Sequence, residues 1–389
     1  MKKRLQVIYK IVERCNINCT YCYYFNLDNE SAYDRPIFTS LPIAKKLAIS
    51  ILHSVKSHKI EEVLICFHGG EPMMIKPSLF DKICEIFVKT LTDNVKLNFS
   101  IQTNGTILNT DWILLFYKYK ISIGVSIDGD KVANDKFRLS KNRKSTFKIV
   151  EKNIKIFNDL YSQGICSKPS TISVINPLNN YRKIYKYLRS IGIEQMSFLL
   201  PDENYDYLKK DNSFGDKFGK PLFSLYHSWY KENNPSVEIR HVNDMFNGIN
   251  QQISLSKNNN NKRLKNTIEN IIMVVRSDGS LAVNDSYYPT ETWYSKCPVF
   301  TLEPNAVSKF LSNKILDEIK FIERTICEEC KTCNWLNLCN GGDIENRWSR
   351  TNDFDNPSIF CKSYKKYYEK VISLTTDKKQ TVGNTVYKT

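Results

Sequence analysis

The sequence contains no run approaching ~18 consecutive apolar residues, the length a helix needs to cross a bilayer, so no membrane partner is expected. It lacks a secretion signal. The opening Met1–Arg14 is basic, but its apolar run is short, is broken by Lys10 and meets no small-residue cleavage site. That segment reads as a first strand, and the expected location is cytoplasmic. No basic block with interleaved aromatics is present, so no nucleic-acid partner is expected despite 56 Lys plus Arg against 41 Asp plus Glu. The excess reads as solvated, Lys- and Asn-rich helix faces, with an acidic partner as the functional alternative. Only 14 Gly and 13 Pro occur, which excludes collagen, and the ordinary apolar and charged fractions exclude wholesale disorder. No internal repeat is visible beyond strand–helix alternation. At 389 residues the chain exceeds a single hydrophobic core, so two or three units are expected.

What the sequence does have is cysteine, twelve in all. In a reducing compartment clustered cysteines read as metal or redox ligands and not as disulfides. Nine of the twelve fall in two places: Cys15, Cys19 and Cys22, then Cys297, Cys327, Cys330, Cys333, Cys339 and Cys361. Cys66, Cys84 and Cys166 read as small buried hydrophobes.

Residues 1–232 alternate strand-like and helix-like patterns. Strands are expected at 4–12, 62–68, 96–103, 122–128, 170–176 and 195–200. Helices are expected near 41–58, 78–92, 110–119, 145–163, 179–191 and 215–232. Such repetition implies an α/β fold with a parallel sheet and right-handed crossovers. Six units are too few for a closed eight-fold barrel; a partial barrel or a doubly wound sheet fits, with function at the C-terminal strand ends. Residues 233–270 are polar, with the run Asn258–Asn261, and read as a linker or bridging region. Residues 271–374 pair short elements with dense cysteine, so bound metal is expected to stabilise them. Residues 375–389 read as a polar tail.

The first cluster, Cys15-x3-Cys19-x2-Cys22, follows the first strand directly. Three thiolates on one tight loop can hold three corners of an iron–sulfur cubane, leaving the fourth iron open. A zinc site would want a fourth ligand nearby, and the nearest histidine is His53. The run CNINCTYC, with Tyr21 before the third cysteine, resembles the signature of radical S-adenosylmethionine (SAM) enzymes. His68-Gly69-Gly70-Glu71-Pro72 at the second strand's end resembles that family's element for the amino group of SAM. Gln102-Thr103-Asn104-Gly105, then Val125-Ser126-Ile127-Asp128-Gly129, end the next two strands, and Arg138 follows. In the peptide-modifying branch the matching Ser and Arg hold the SAM carboxylate. The chemistry agrees with the resemblance: a zwitterion needs an anion and a cation, which Glu71 and Arg138 supply, and glycine lets backbone approach a ligand. The resemblance thus implies a partial (β/α)6 barrel and a SAM site built from Tyr21, Gly69, Gly70, Glu71, Pro72, Gln102, Asn104, Ser126, Asp128 and Arg138. His68 reads equally as a capped strand-end residue or a cofactor contact.

Cys330-x2-Cys333-x5-Cys339, with Cys361 beyond, resembles the SPASM domain, a module carrying auxiliary iron–sulfur clusters. The resemblance implies that these four ligate one fully coordinated [4Fe–4S] cluster suited to electron transfer, with a closed zinc site as the alternative. The chain departs from the pattern elsewhere. Asn284 and Asp343 stand where a second auxiliary cluster takes cysteines, so that second site is expected to be absent or altered. Cys297, Cys327 and Asp343 remain as candidate ligands there. Asp285 stands where related maturases place a proton-accepting carboxylate, with a turn Asp as the plain reading; Tyr287 and Tyr288 are alternative polar groups.

Phe198–Asp202 and Gly341-Gly342…Arg347-Trp348…Asp355–Ser358 resemble maturases that build cyclophane crosslinks in ribosomal peptides. The expected function is therefore abstraction of a Cβ hydrogen by a 5′-deoxyadenosyl radical, then carbon–carbon bonding to an aromatic ring. The alternatives are sulfatase-maturase-like oxidation of Cys or Ser to formylglycine, a thioether crosslink, or a non-catalytic iron–sulfur or zinc protein. Expected partners are a precursor peptide with leader and core, and an electron donor such as flavodoxin or ferredoxin. With no room before the first strand for a leader-binding domain, a leader would bind the barrel or the SPASM surface. The resemblance covers nearly the whole chain, though 206–270 contributes little.

Overall fold

Alternation along Lys3–Val12 (β1) puts Leu5, Val7, Tyr9 and Ile11 on one fully buried face, against the helix layer. The structure, a computed structural model, describes residues 2–26, 31–208, 211–257 and 268–379. The remaining strands are β2 (Ile17–Cys19), β3 (Glu62–Gly69), β4 (Lys96–Thr103), β5 (Ser122–Ser126), β6 (Arg138–Ser140), β7 (Ser170–Val174), β8 (Gln195–Leu199), β9 (Glu238–Ile239), β10 (Glu269–Val275) and β11 (Leu281–Ala282).

Nine of these form one sheet in the order β11-β10-β1-β3-β4-β5-β7-β8-β9, parallel throughout except β10 with β11. From β1 to β9 the order advances in one direction. A doubly wound sheet would reverse at a switch point, so the alternation predicted from sequence resolves as the barrel-type winding. The helices Leu41–Ser57, Pro77–Leu91, Thr110–Tyr119, Phe147–Ser162, Tyr181–Ser190 and Gly219–Glu232 occupy the intervals expected of them. Their starts follow local chemistry: Asn109 and Asn180 accept hydrogen bonds from Trp112 N and Lys183 N, and Pro77 opens its helix. Beneath them Phe67, Phe80, Phe99 and Trp112 pack ring against ring, with centroid separations of 4.6 to 5.7 Å.

Three features differ from the sequence reading. Residues 233–270 are not simply a linker, since β9 extends the sheet edge and a helix runs over Arg240–Lys257. The run Asn258–Asn261 lies outside the described residues. In the cysteine-rich segment, β10 pairs in parallel with β1 along the register Lys3↔Glu269 to Tyr9↔Val275, so this segment begins as part of the barrel sheet. The helix Cys361–Lys379 also enters the stretch read as a polar tail, whose residues from 380 lie outside the described ones. Among the described residues no helix is long and apolar enough to cross a membrane.

Candidate active site

The strand ends β1, β3, β4, β5, β7 and β8 open on one cavity of about 630 Å³, a size suited to a small-molecule ligand. Its wall includes Cys15, Cys19, Cys22, Tyr21, Gly69, Gly70, Gln102, Asn104, Ser126 and Arg138. These ten candidates, spread over some 120 positions of sequence, therefore share one chamber. Glu71, Pro72 and Asp128 stand behind its wall.

The cysteine loop is fixed from three sides. β2 and β6 form a two-stranded ribbon that sets Cys19 opposite Arg138. Asn104 reaches Asn16 at 2.8 Å and the Cys15 sulfur at 3.7 Å. Gly70 N donates to the Val12 carbonyl at 2.8 Å, and Glu71 N to the Arg14 carbonyl at 2.9 Å. A Cβ on Gly70 would stand 2.2 Å from the Arg14 carbonyl oxygen, and one on Gly69 2.1 Å from that of Val12. The sequence reading gave these glycines to close approach of a ligand. The backbone that approaches them is the chain's own, the end of β1 at Gly69 and the start of the cysteine loop at Gly70. Glu71 is likewise engaged internally. Fully buried, its carboxylate accepts from Thr103 Oγ1 and Asn104 N, both at 2.7 Å, and from Met73 N at 3.0 Å.

Arg138 is buried and donates to the Tyr21 hydroxyl at 2.8 Å, which in turn donates to Asp128 at 2.9 Å. Gln102 donates to Ser126 Oγ at 2.8 Å. Burial pushes the Cys15 thiol up to about 12 and the Cys19 thiol to about 11, although the Arg138 charge opposes the latter. Neutral thiols suit a buried loop without metal, and iron would have to displace their protons. The donor set fits a cluster with one open iron: three sulfurs, no acidic or imidazole fourth ligand on the loop, and a cavity with polar groups beyond.

Asp285 does not line this cavity. It lies just outside, buried, in an ion pair with the buried Lys10 and accepting from the Tyr23 hydroxyl at 3.0 Å. Burial alone would raise its pKa, but the charge and hydrogen bond of Lys10, then His68 and Tyr23, hold it below the ordinary aspartate value. His68, on the cavity wall, is held neutral with a pKa near 4, first by burial and then by the Lys10 charge. Lys10 also sits 3.5 Å from the centre of the Tyr24 ring, and Tyr24 hydrogen-bonds the fully buried Glu13. Sequence reasoning missed Lys10, Glu13, Tyr23 and Tyr24 as a network. The available signal was a lysine interrupting the apolar run from Val7 to Val12, which needs a buried partner.

Cys330, Cys333, Cys339 and Cys361 line one pocket with Trp335 and Tyr364, a donor set that fits one closed cluster. Buried Arg347 secures the surrounding loops by donating to the carbonyls of Ile322, Thr325 and Phe354. Asn346 donates to the carbonyls of Pro201 and Glu203, and Tyr205 N to that of Trp348, so the two motifs singled out in sequence meet and latch β8 to this region. Cys297, Cys327 and Asp343 are not brought together. Cys297 lies by the Trp293 carbonyl, Cys327 against Cys330, and Asp343 among Asp202, Glu345 and Arg240. Tyr287 packs on Trp293, and Tyr288 on Tyr294.

The Radical SAM superfamily model matches residues 9–169. The chain is 28% identical over 390 residues to the cysteine-type anaerobic sulfatase-maturating enzyme of Clostridium novyi (strain NT), covering 97% of each. It is 25% identical to the serine-type enzyme of Bacteroides thetaiotaomicron, over 92% of this chain and 86% of that protein. The solved structure of native anSMEcpe with bound AdoMet superposes with a TM-score of 0.76 at 25% identity, covering 96% of this chain and 99% of that one. Residues 9–169 thus match the Radical SAM superfamily, within a modifying enzyme that resembles the anaerobic sulfatase-maturating enzymes along its whole length.

Proposed function

We propose that this enzyme oxidises a cysteine side chain, or its serine counterpart, in a peptide to formylglycine. The observation that carries the reading is similarity to the cysteine-type enzyme over 97% of both chains, including the C-terminal half where Asp285 lies. Cys15, Cys19 and Cys22 would hold the first cluster, with the fourth iron left to SAM. Gly69, Gly70, Gln102, Asn104, Ser126 and Arg138 would surround the SAM amino acid, with Arg138 facing its carboxylate. Cys330, Cys333, Cys339 and Cys361 would hold the auxiliary cluster. When bound, these groups supply what side chains lack, a radical that takes one hydrogen atom from Cβ and a centre that accepts one electron.

Asp285 is the base in this scheme. It accepts the thiol proton as the carbon–sulfur bond gains its second bond, and Lys10 and Tyr23 keep it ionised and aimed. Water then exchanges oxygen for sulfur, which leaves as hydrogen sulfide. The electron that starts each turnover comes from a one-electron donor of the flavodoxin or ferredoxin kind.

A second reading, the carbon–carbon crosslink to an aromatic ring, is favoured by one observation. Phe198–Asp202 and Gly341-Gly342…Arg347-Trp348…Asp355–Ser358, the stretches that resemble cyclophane-forming maturases, meet through Asn346, which donates to the Pro201 carbonyl. The products separate the two. A cysteine peptide deuterated at Cβ, incubated with reconstituted enzyme, SAM and reductant, should pass its label to 5′-deoxyadenosine and release sulfide in proportion. Sulfide-free loss of two hydrogens from an aromatic peptide would replace formylglycine with the crosslink. Unlabelled nucleoside would remove both.

A further inference from the structure

A second cleft, open to solvent and about 670 Å³ in volume, is lined in part by the segment that follows Asp285, and the reaction proposed above makes no use of it. Its wall carries Arg35, Arg276, Asp278, Glu291 and Tyr294. Arg276 is 9% exposed, donates to the Tyr294 hydroxyl at 3.3 Å and has no carboxylate partner among the described residues. A buried guanidinium normally pairs with an anion, because desolvation is otherwise uncompensated. The other charges nearly cancel. Arg35 faces the exposed Asp278 at 3.8 Å, and Glu291 is taken up by Arg350. Arg350 also meets Asp206 at 3.2 Å, so these ion pairs close among themselves, and among the described residues Arg276 is the wall cation without a facing carboxylate, a single guanidinium that matches a monoanion and not a dianion such as phosphate.

The chamber adjoins the reaction site. Tyr294, whose hydroxyl meets Arg276, feels the charges of both Arg276 and Asp285. Ser277, next to Arg276, donates its N–H to Glu13 at 3.3 Å, and Glu13 holds Tyr24, a wall residue of the SAM cavity. A peptide whose reactive residue meets the Tyr23–Asp285 pair would therefore carry neighbouring side chains toward Arg276. We infer that the Arg276 chamber is a substrate subsite that receives a carboxylate side chain of the peptide, close in sequence to the residue that is oxidised. The inference rests on the proposed peptide substrate. It adds a rule of selection, an acidic residue at a fixed offset, that the chemistry itself does not require.

The test uses fluorescein-labelled short peptides of alanine, serine and glycine carrying one cysteine and one glutamate at stepped offsets, each with a glutamine twin. Binding to the reconstituted holoenzyme with SAM is read by anisotropy. A charge-assisted bidentate contact should make the glutamate peptide bind ~10-fold tighter than its twin at one or two offsets. The contrast should vanish in Arg276→Gln and shrink in Tyr294→Phe and Arg35→Gln, two variants that keep the inference testable if the first does not fold. Equal binding of the twins at every offset, no binding of either, or a contrast that survives Arg276→Gln overturns it. Formation of 5′-deoxyadenosine and loss of the cysteine are scored separately on the same samples. A preserved contrast with an unmodified cysteine overturns the assigned reaction and leaves the subsite standing.

Discussion

At the scale of single residues, the unusual expense is Lys10, a lysine 1% exposed within a strand and paired with an aspartate almost as deep. Removing one partner strands the other charge, so Lys10→Met should cost ~3–5 kcal/mol in denaturant unfolding. The pH dependence has a definite sign. Asp285 is held below the ordinary aspartate value of 3.8, so its contribution to stability is complete above that value and is lost as pH falls through the lower, folded one. Acid unfolding of the Lys10→Met protein should lack this component, which parallel urea titrations would read. Asp285→Asn keeps the shape but removes the base. Peptide oxidation should fall by ~10²–10⁴ while 5′-deoxyadenosine still forms, both read by chromatography of quenched reactions. The first three cysteines stood out by their spacing and Arg138 by the family resemblance, and the structure brings all four to one cavity wall. Glu71 shows where such reading stops. Its three internal hydrogen bonds depend on how β3 and β4 end side by side, which no local pattern records.

At the scale of elements, the barrel was readable because each strand is a short apolar run and each helix keeps one apolar face. The ribbon of β2 and β6 was not. Three residues on each side carry no periodicity, and their pairing spans the barrel. The helix Arg240–Lys257 was missed for a related reason. Only Val242 and Met245 are buried among its described side chains, too few to mark an apolar face in so polar a stretch. The packing of the cysteine loop onto β3 gives a prediction at this level. Gly70→Ala should drive a methyl into the Arg14 carbonyl, costing ~1–3 kcal/mol and displacing the loop. Thermal unfolding would read the first effect. Iron and sulfide content after anaerobic reconstitution would read the second, and it should fall while the four-cysteine pocket still fills.

At the scale of the whole molecule, two cysteine sets occupy two separate chambers, one at the barrel mouth and one in the C-terminal segment. Their loading should be independent. Cys15→Ala and Cys330→Ala should each lose about half of the iron per chain, and the double variant nearly all, since in the proposed scheme each set would hold one cluster. Equal and complete loss in either single variant would mean that one site builds the other. The parallel seam between β1 and β10 bears on how the chain comes into being. Lys3 leaves the ribosome first, yet its neighbour Glu269 is translated only after the whole run of strands and helices between them. Throughout synthesis the flank of β1 that awaits β10 is an open edge, able to pair with any passing strand. Closure is therefore a late, non-local event, and such events are slow. Nascent chains halted before codon 275 should accumulate on chaperones or self-associate, whereas chains released a little beyond it should not.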